Sequence, residues 1–200
     1  MANVVGIDVG GFRKGYHAVH LSSGNLEATF QHTNPTTICT WVQTLNPVAV
    51  AIDAPCGWSQ DGGSREAERI LEYQQTRIPC FCTPTRDRAK QSSFYDWVFN
   101  GEKLYNAFRE KEMEPIETYP HGIAQIILDF NGEGSKQEQR LHALKAVGIP
   151  THTLPSPDLI DAALCALTAD ATRTYSTISF GNPTEGHLVL PTEKYFSQRR

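Results

Sequence analysis

Asp8, Asp53, Asp158 and Asp161 are the residues of this 200-residue chain whose type and placement could do chemistry. Asp8 and Asp53 each close a short apolar run, Val4 to Ile7 in one case and Val48 to Ile52 in the other. Asp158 and Asp161 stand three residues apart just after Ser156-Pro157. On a helix that spacing puts two Cβ atoms ~5–6 Å apart on one face. Like charges ~4 Å apart repel by roughly 4 kcal/mol at an effective dielectric of about 20, so a purely structural domain has little reason to gather them without cations. Hard oxygen donors with no matching His or Cys set point to Mg²⁺ or Mn²⁺. Two such ions can activate a water and stabilise the leaving oxygen of a phosphodiester, which is nuclease chemistry. Each acid also has an ordinary reading. Asp158 suits a helix's first turn through the macrodipole, and Asp53 before Ala54-Pro55 suits a turn, as Asp8 does before Gly10-Gly11. Glu117, between Ile116 and Tyr119, reads equally as a fourth ligand or as an edge charge.

The elements that must position these acids can be read from periodicity. Asn3 to Val9 is short, apolar and β-branched, Gly10-Gly11 breaks it, and Gly15 to Leu21 alternates again. Ser22-Ser23-Gly24-Asn25 is a turn cluster before a third strand-like run, Leu26 to His32, which predicts an antiparallel meander. Pro35 suits a helix start, and Ile38, Trp41, Val42 and Leu45 give the next stretch an apolar face. Val48 to Ile52 is continuously apolar, as a central strand covered on both faces would be, and it delivers Asp53 at its C-terminal end. Residues 57–111 read as a helical insertion, with helices at Arg65 to about Gln75 and Phe94 to Arg109 around a Pro- and Arg-bearing loop. A brief strand at 115–120, helices at 121–130 and 136–147, and a long helix begun by Ser156-Pro157 follow. The apolar face of that last helix is Leu159, Ala163, Leu164 and Leu167, and two short strand-like runs, Ser176 to Phe180 and His187 to Leu190, come after it.

Composition excludes several classes. A 40% hydrophobic and 20% charged chain of this length is one globular domain, spanning 1–200 with the 57–111 insertion inside it. No apolar run approaches the ~20 residues needed to cross a bilayer, and Met1 runs into a strand without a basic leader, so a cytoplasmic protein with no membrane partner is expected. Five cysteines at irregular spacings argue against a disulfide framework and fit a reducing compartment. Cys80-Phe81-Cys82 has no second pair at a finger-like spacing and reads as free thiols. A net charge of −4 gives no global attraction to a polyanion, so nucleic acid would be held by a local basic patch or by metal ions.

Gly6-Ile7-Asp8-Val9-Gly10-Gly11 followed by a glycine-bearing second strand resembles the start of RNase H-like and Holliday-junction-resolvase-like domains. Asp158-Leu159-Ile160-Asp161-Ala162-Ala163 resembles the helix on which those resolvases carry their last two metal ligands. More narrowly, the chain resembles the predicted RNase H-like nucleases of domain-of-unknown-function family 429 over nearly its full length. The features that recur in order are Ile52-Asp53-Ala54-Pro55-Cys56-Gly57, Arg65 with Arg69, Pro84 with Arg86, Glu117-Thr118-Tyr119-Pro120, Lys136 with Arg140, the Asp158–Asp161 helix and Gly186-His187-Leu188-Val189-Leu190-Pro191. Asp61-Gly62-Gly63-Ser64 departs from the acidic or cysteine residues that the family often has after the Asp53 motif. The resemblance implies an α/β fold with an RNase H-like mixed five-stranded sheet, three antiparallel strands then parallel additions, flanked by helices. It implies Asp8, Asp53 and Asp161 as metal ligands, Asp158 as a further ligand, Glu117 as a catalytic helper, and metal-dependent hydrolysis of nucleic-acid phosphodiesters.

Arg65, Arg86, Lys136 and Arg140 are the candidates for binding phosphates, with Tyr119 or Phe81 as a stacking face, against the ordinary reading of scattered surface cations. Two other functions fit the same fold. Asp8-Val9-Gly10-Gly11 also resembles the first phosphate loop of actin-like and sugar-kinase ATPases, although those clamp ATP between two such domains. A non-catalytic binding module that keeps the fold without holding metal is the other. DNA and RNA are not distinguished at this level, and a homodimer is one assembly the sequence allows.

Overall fold

The computed structural model describes residues 3–75 and 78–197. Its frame is one mixed sheet in the order β3-β2-β1-β4-β5-β7-β6. The strands are β1 (Asn3–Val9), β2 (Tyr16–Ser22), β3 (Asn25–His32), β4 (Ala49–Asp53), β5 (Ile116–Glu117), β6 (Thr177–Asn182) and β7 (Gly186–Pro191). β1 to β3 form the expected antiparallel meander, and β4, β5 and β7 add in parallel. Seven strands stand where five were expected. The two late strand-like runs pair with each other antiparallel, and Leu188 of β7 pairs with Glu117 of β5, so together they extend the sheet at one edge.

Helices cover both faces. On one face α1 (Pro35–Leu45) and α4 (Asp96–Arg109) pack on Val5, Ile7 and Val9 of β1 and on Val50 and Ile52 of β4. On the other lie α5 (Pro120–Ile127), α6 (Lys136–Ala146) and α7 (Pro157–Thr172), against Val4, Val19 and Ala51. Strand side chains alternate between faces, so Asp8 shares the α7 face with Val4, and Asp53 shares it with Ala51. The remaining helices are α2 (Glu66–Arg69), continued to Gln75 by a wider helical turn, α3 (Arg86–Ala89) and α8 (Glu193–Ser197). The longest stretch between strands, from β4 to β5, carries α2 and α4 where helices are expected, and the short α3 inside the expected Pro- and Arg-bearing loop.

α7 is not the amphipathic helix its sequence suggests. Every residue from Leu159 to Ala169 is buried, because α5 and α6 cover the side that the sheet does not. Ser156 caps it, its hydroxyl accepting from the Leu159 amide at 3.2 Å, and Pro157 opens it. Small residues let the helix sit directly on β1. A Cβ placed on Gly6 would lie 2.0 Å from the Ala162 carbonyl oxygen and 2.2 Å from the Ala166 nitrogen, so helix and strand touch backbone to backbone.

No flexible side chain can yield at that contact. Gly6→Ala is therefore expected to destabilise the protein by about 3 kcal/mol or more, at the upper end of overpacking effects, measured as a shift in urea midpoint. An unchanged midpoint would contradict this packing.

Candidate metal centre

Three elements deliver the carboxylates to one spot. β1 and β4 run parallel with Asp8 directly beside Asp53 at their C-terminal ends. α7 crosses over them, and its first turns bring Asp158 and Asp161 above the pair. Asp8, Asp53 and Asp161 offer oxygens that all lie within 4.8 Å of one another. Asp8 belongs also to a second group of the same dimensions with His17 and Asp158. His17 stands opposite Asp8 in the β1–β2 ladder and so faces the same side. Its two ring nitrogens are each 3.8 Å from a carboxylate oxygen, Nδ1 from Asp8 and Nε2 from Asp158.

The loops that present these residues are held from the α4 side. The Asn100 amide donates to the Gly10 carbonyl at 3.0 Å, and the Tyr16 hydroxyl donates to Asn100 at 3.0 Å. The Tyr105 hydroxyl donates to the Ala54 carbonyl at 2.9 Å. A Cβ on Gly101 would lie 2.6 Å from that of Ala54, so α4 rests directly on the turn after Asp53. The backbone on either side of the acids is thereby fixed without using their oxygens.

The electrostatics are those of a crowded anionic centre. Burial, then the charges of Asp53, Asp161 and Asp158, pushes the Asp8 carboxyl well above the usual carboxylate range. Burial and the neighbouring Asp161 do the same to Asp53. Asp161 is raised to about 7, chiefly by burial, against the lowering influence of Arg140. Burial lowers His17, which favours the neutral imidazole. Two cations of the chain partly balance the acids: Lys14 donates to Asp158 at 2.9 Å, and the Arg140 guanidinium donates to Asp161 Oδ2. Asp161 Oδ1 and His17 Nδ1 remain buried with no hydrogen-bond partner. Unpaired buried polar atoms aimed into a cluster of hard donors fit a divalent cation.

The other predicted residues are distributed differently. Glu117 is not among the converging donors. Its carboxylate is held by the Arg65 guanidinium, one contact being 2.8 Å, and by the Cys56 amide at 2.7 Å. Arg65, expected to meet substrate, is only 1% exposed and bonds Glu68 as well at 2.8 Å. Both residues are occupied in a buried ionic knot that ties the segment after β4 to β5. Glu185, a residue that no motif singled out, extends the knot by accepting from the Gln60 and Glu66 amides at 2.9 and 2.7 Å. Arg86 is exposed and paired with Glu102 at 2.9 Å, and Lys136 is exposed at the start of α6. Arg140 is at the centre itself, on Asp161. Tyr119 donates to the Pro79 carbonyl at 2.8 Å and lines a cavity of about 260 Å³ that opens against Asp53. His17 and Lys14 are the site residues that sequence reasoning missed. The signal for His17 was the hairpin register, since a tight turn around Gly10 to Gly15 sets it opposite Asp8.

The family model described as "Protein of unknown function (DUF429)" matches residues 6–185, and the chain belongs to that family. No curated protein matches. Among solved structures, the chain is similar to Thermus thermophilus RuvC in complex with Holliday junction substrate, at 16% identity and a TM-score of 0.50, over 94% of this chain and 100% of that one. It is also similar to a second Thermus thermophilus RuvC structure, at 16% identity and a TM-score of 0.48, over 86% of this chain and 96% of that one. The fold is RNase H-like, as the sequence resemblance implies.

Two outcomes follow from the electrostatics. A carboxyl raised in the folded state keeps its proton where the unfolded chain has lost it, so between the ordinary value of 3.8 and the Asp161 value of about 7 the native state binds more protons. Stability in EDTA should therefore fall as pH rises through that window. Asp8→Asn should flatten the slope and raise the melting temperature at pH 8 by about 2–6 °C; a melting temperature that climbs with pH in EDTA would contradict the arrangement. Arg65→Met, by contrast, strands Glu117 in the interior and should cost about 3–5 kcal/mol in urea unfolding, with partial recovery in the Arg65→Met/Glu117→Gln double variant.

Proposed function

We propose that the carboxylate cluster holds a pair of divalent cations, Mg²⁺ or Mn²⁺, and that the protein is a nuclease hydrolysing phosphodiester bonds. The observation that carries this reading is the sharing of Asp8 between two donor groups, one with Asp53 and Asp161 and the other with Asp158 and His17. Divalent cations bound there supply activation of a water and neutralisation of charge on the leaving oxygen. Asp8 is common to both donor groups and would serve both cations. Asp53 and Asp161 complete one position, and Asp158 with neutral His17 completes the other. Lys14 and Arg140 pair with Asp158 and with Asp161 Oδ2 in the absence of other cations. Once relieved of that role, they are placed to face the phosphate oxygens of a substrate. Glu117 and Arg65 contribute by fixing the wall of the cavity beside Asp53.

Support for nucleic acid as the partner comes from the likeness in fold to a RuvC that is in complex with a Holliday junction substrate. Five free thiols suit a reducing, cytoplasmic setting. Among the described residues no helix is long and apolar enough to cross a membrane.

The test is Mn²⁺-dependent cleavage of a panel of single-stranded, duplex, branched and RNA–DNA hybrid substrates. Activity should fall by more than about 100-fold in both Asp8→Asn and Asp161→Asn, beyond the loss typical of an outer-shell change. No cleavage of any substrate, with no Mn²⁺ affinity by calorimetry, would overturn the reading.

A further inference from the structure

Two depressions beside the carboxylates share a wall. The first is the cavity of about 260 Å³ against Asp53, lined by Phe81, Phe94, Trp97 and Tyr119. Its rings form one cluster, with Phe81 4.8 Å from Trp97 and 5.5 Å from Phe94, centroid to centroid. The second is more open, about 620 Å³, and is bounded by Phe12, Arg13 and Lys14 on one side and by Phe94 and Trp97 on the other. Phe94 and Trp97 thus border both, so the two depressions adjoin across these rings, one reaching Phe12 and Lys14 and the other Asp53. Aromatic surface is left open along them, Phe94 being 63% exposed and Phe12 47%. In a chain of net charge −4, the cations of the more open depression outnumber its acids: Arg13 and Lys14 line it against Asp96, and Lys103 sits nearby, 4.5 Å over the Phe12 ring.

Aromatic platforms interleaved with cations are what an unpaired strand requires and a duplex cannot use. In a duplex each base face is covered by its neighbours and only edges and phosphates are available, whereas an unstacked base can lay its face on a side chain. The cavity is also small, below the ~300 Å³ at which most ligand pockets begin, which suits a single ring system and nothing wider. We propose that the two depressions together form a groove that binds one unpaired nucleic-acid strand, seating a base in the cavity against Phe81 and Trp97 and a neighbouring base on Phe94. Its phosphates run along Arg13 and Lys14 toward Asp8 and Asp53. The site would then act on single-stranded or locally opened nucleic acid. The segment between β4 and β5, which supplies Phe81, Phe94 and Trp97, would be its strand-recognition element.

This substrate class rests on the nuclease reading above, but its test does not depend on hydrolysis. Binding of labelled single-stranded DNA, single-stranded RNA and duplex DNA of one sequence is measured by fluorescence anisotropy with the whole chain in EDTA. The expected result is at least ten-fold tighter binding of a single strand, in the DNA or the RNA arm, than of the duplex. Phe94→Ala should weaken that binding about ten-fold, and Phe12→Ala should weaken it by a smaller factor. Because both rings are exposed, the variants should melt within about 2 °C of the parent, which separates loss of binding from loss of fold. Arg13→Ser should reduce the slope of log affinity against log salt by about 0.7. Equal or tighter binding of the duplex, or single-strand binding untouched by Phe94→Ala and Phe12→Ala, would overturn the proposal. Single-strand binding without cleavage would count against hydrolysis alone, and cleavage of duplex indifferent to these rings would count against the groove alone.

Discussion

The contact of α7 with β1 at Gly6 is the constraint from which the rest of the centre follows. Because nothing larger than hydrogen lies between strand and helix there, the α7 backbone comes within van der Waals reach of the sheet. Asp161, one residue before Ala162, is then carried over the ends of β1 and β4. Were the helix lifted by the thickness of one methyl group, the three carboxylates would part. The alanines at 162, 163, 166 and 169 serve the same closeness on a helix buried all round. They trade buried apolar volume for position, which the helix can accept because the sheet, α5 and α6 enclose it completely.

Against that rigid frame, the carboxylates are the one place where the fold works against itself. Asp8 and Asp161 are buried, Asp53 is half-buried, and the three repel one another, while the backbone beside Asp8 and Asp53 is held through Asn100 and Tyr105. Conflict confined to a few side chains and surrounded by consistent structure is the signature of a functional site. The ionic knot of Arg65, Glu68, Glu117 and Glu185 is also buried and charged, but its carboxylates are bonded by the one guanidinium and by the backbone amides of Cys56, Gln60, Glu66 and Thr83, and its task is to fix the long segment after β4 against β5 and the β6–β7 turn. Two buried charge clusters therefore stand side by side, one satisfied and structural, the other unsatisfied and available.

Much of this was legible in the sequence because it is local. The apolar runs ended by Asp8 and Asp53, the Ser156-Pro157 start and the i, i+3 spacing of Asp158 and Asp161 all depend on residues within a few positions of each other. What could not be read depends on pairing across long separations. The partner of Glu117 is Arg65, 52 residues away, so an acid that reads as a ligand and a base that reads as a phosphate contact neutralise one another in the interior. Arg140 reads as a phosphate contact, and only the fold shows that it also pairs with Asp161. His17 is hidden by a strand whose alternation is plain but whose register against Asp8 is set by the turn. The two final strands were visible as runs, but their joining the main sheet rests on a single register with β5.

The most direct test of the central claim is a crystal structure of the protein grown with Mn²⁺, with data collected at a wavelength that gives the metal an anomalous signal. The account predicts two peaks on either side of the Asp8 carboxylate, one bounded by Asp53 and Asp161 and the other by Asp158 and His17, with Lys14 and Arg140 turned away from their carboxylates. Mn²⁺ absent from this cluster at saturating concentration, with both ion pairs intact, would contradict it.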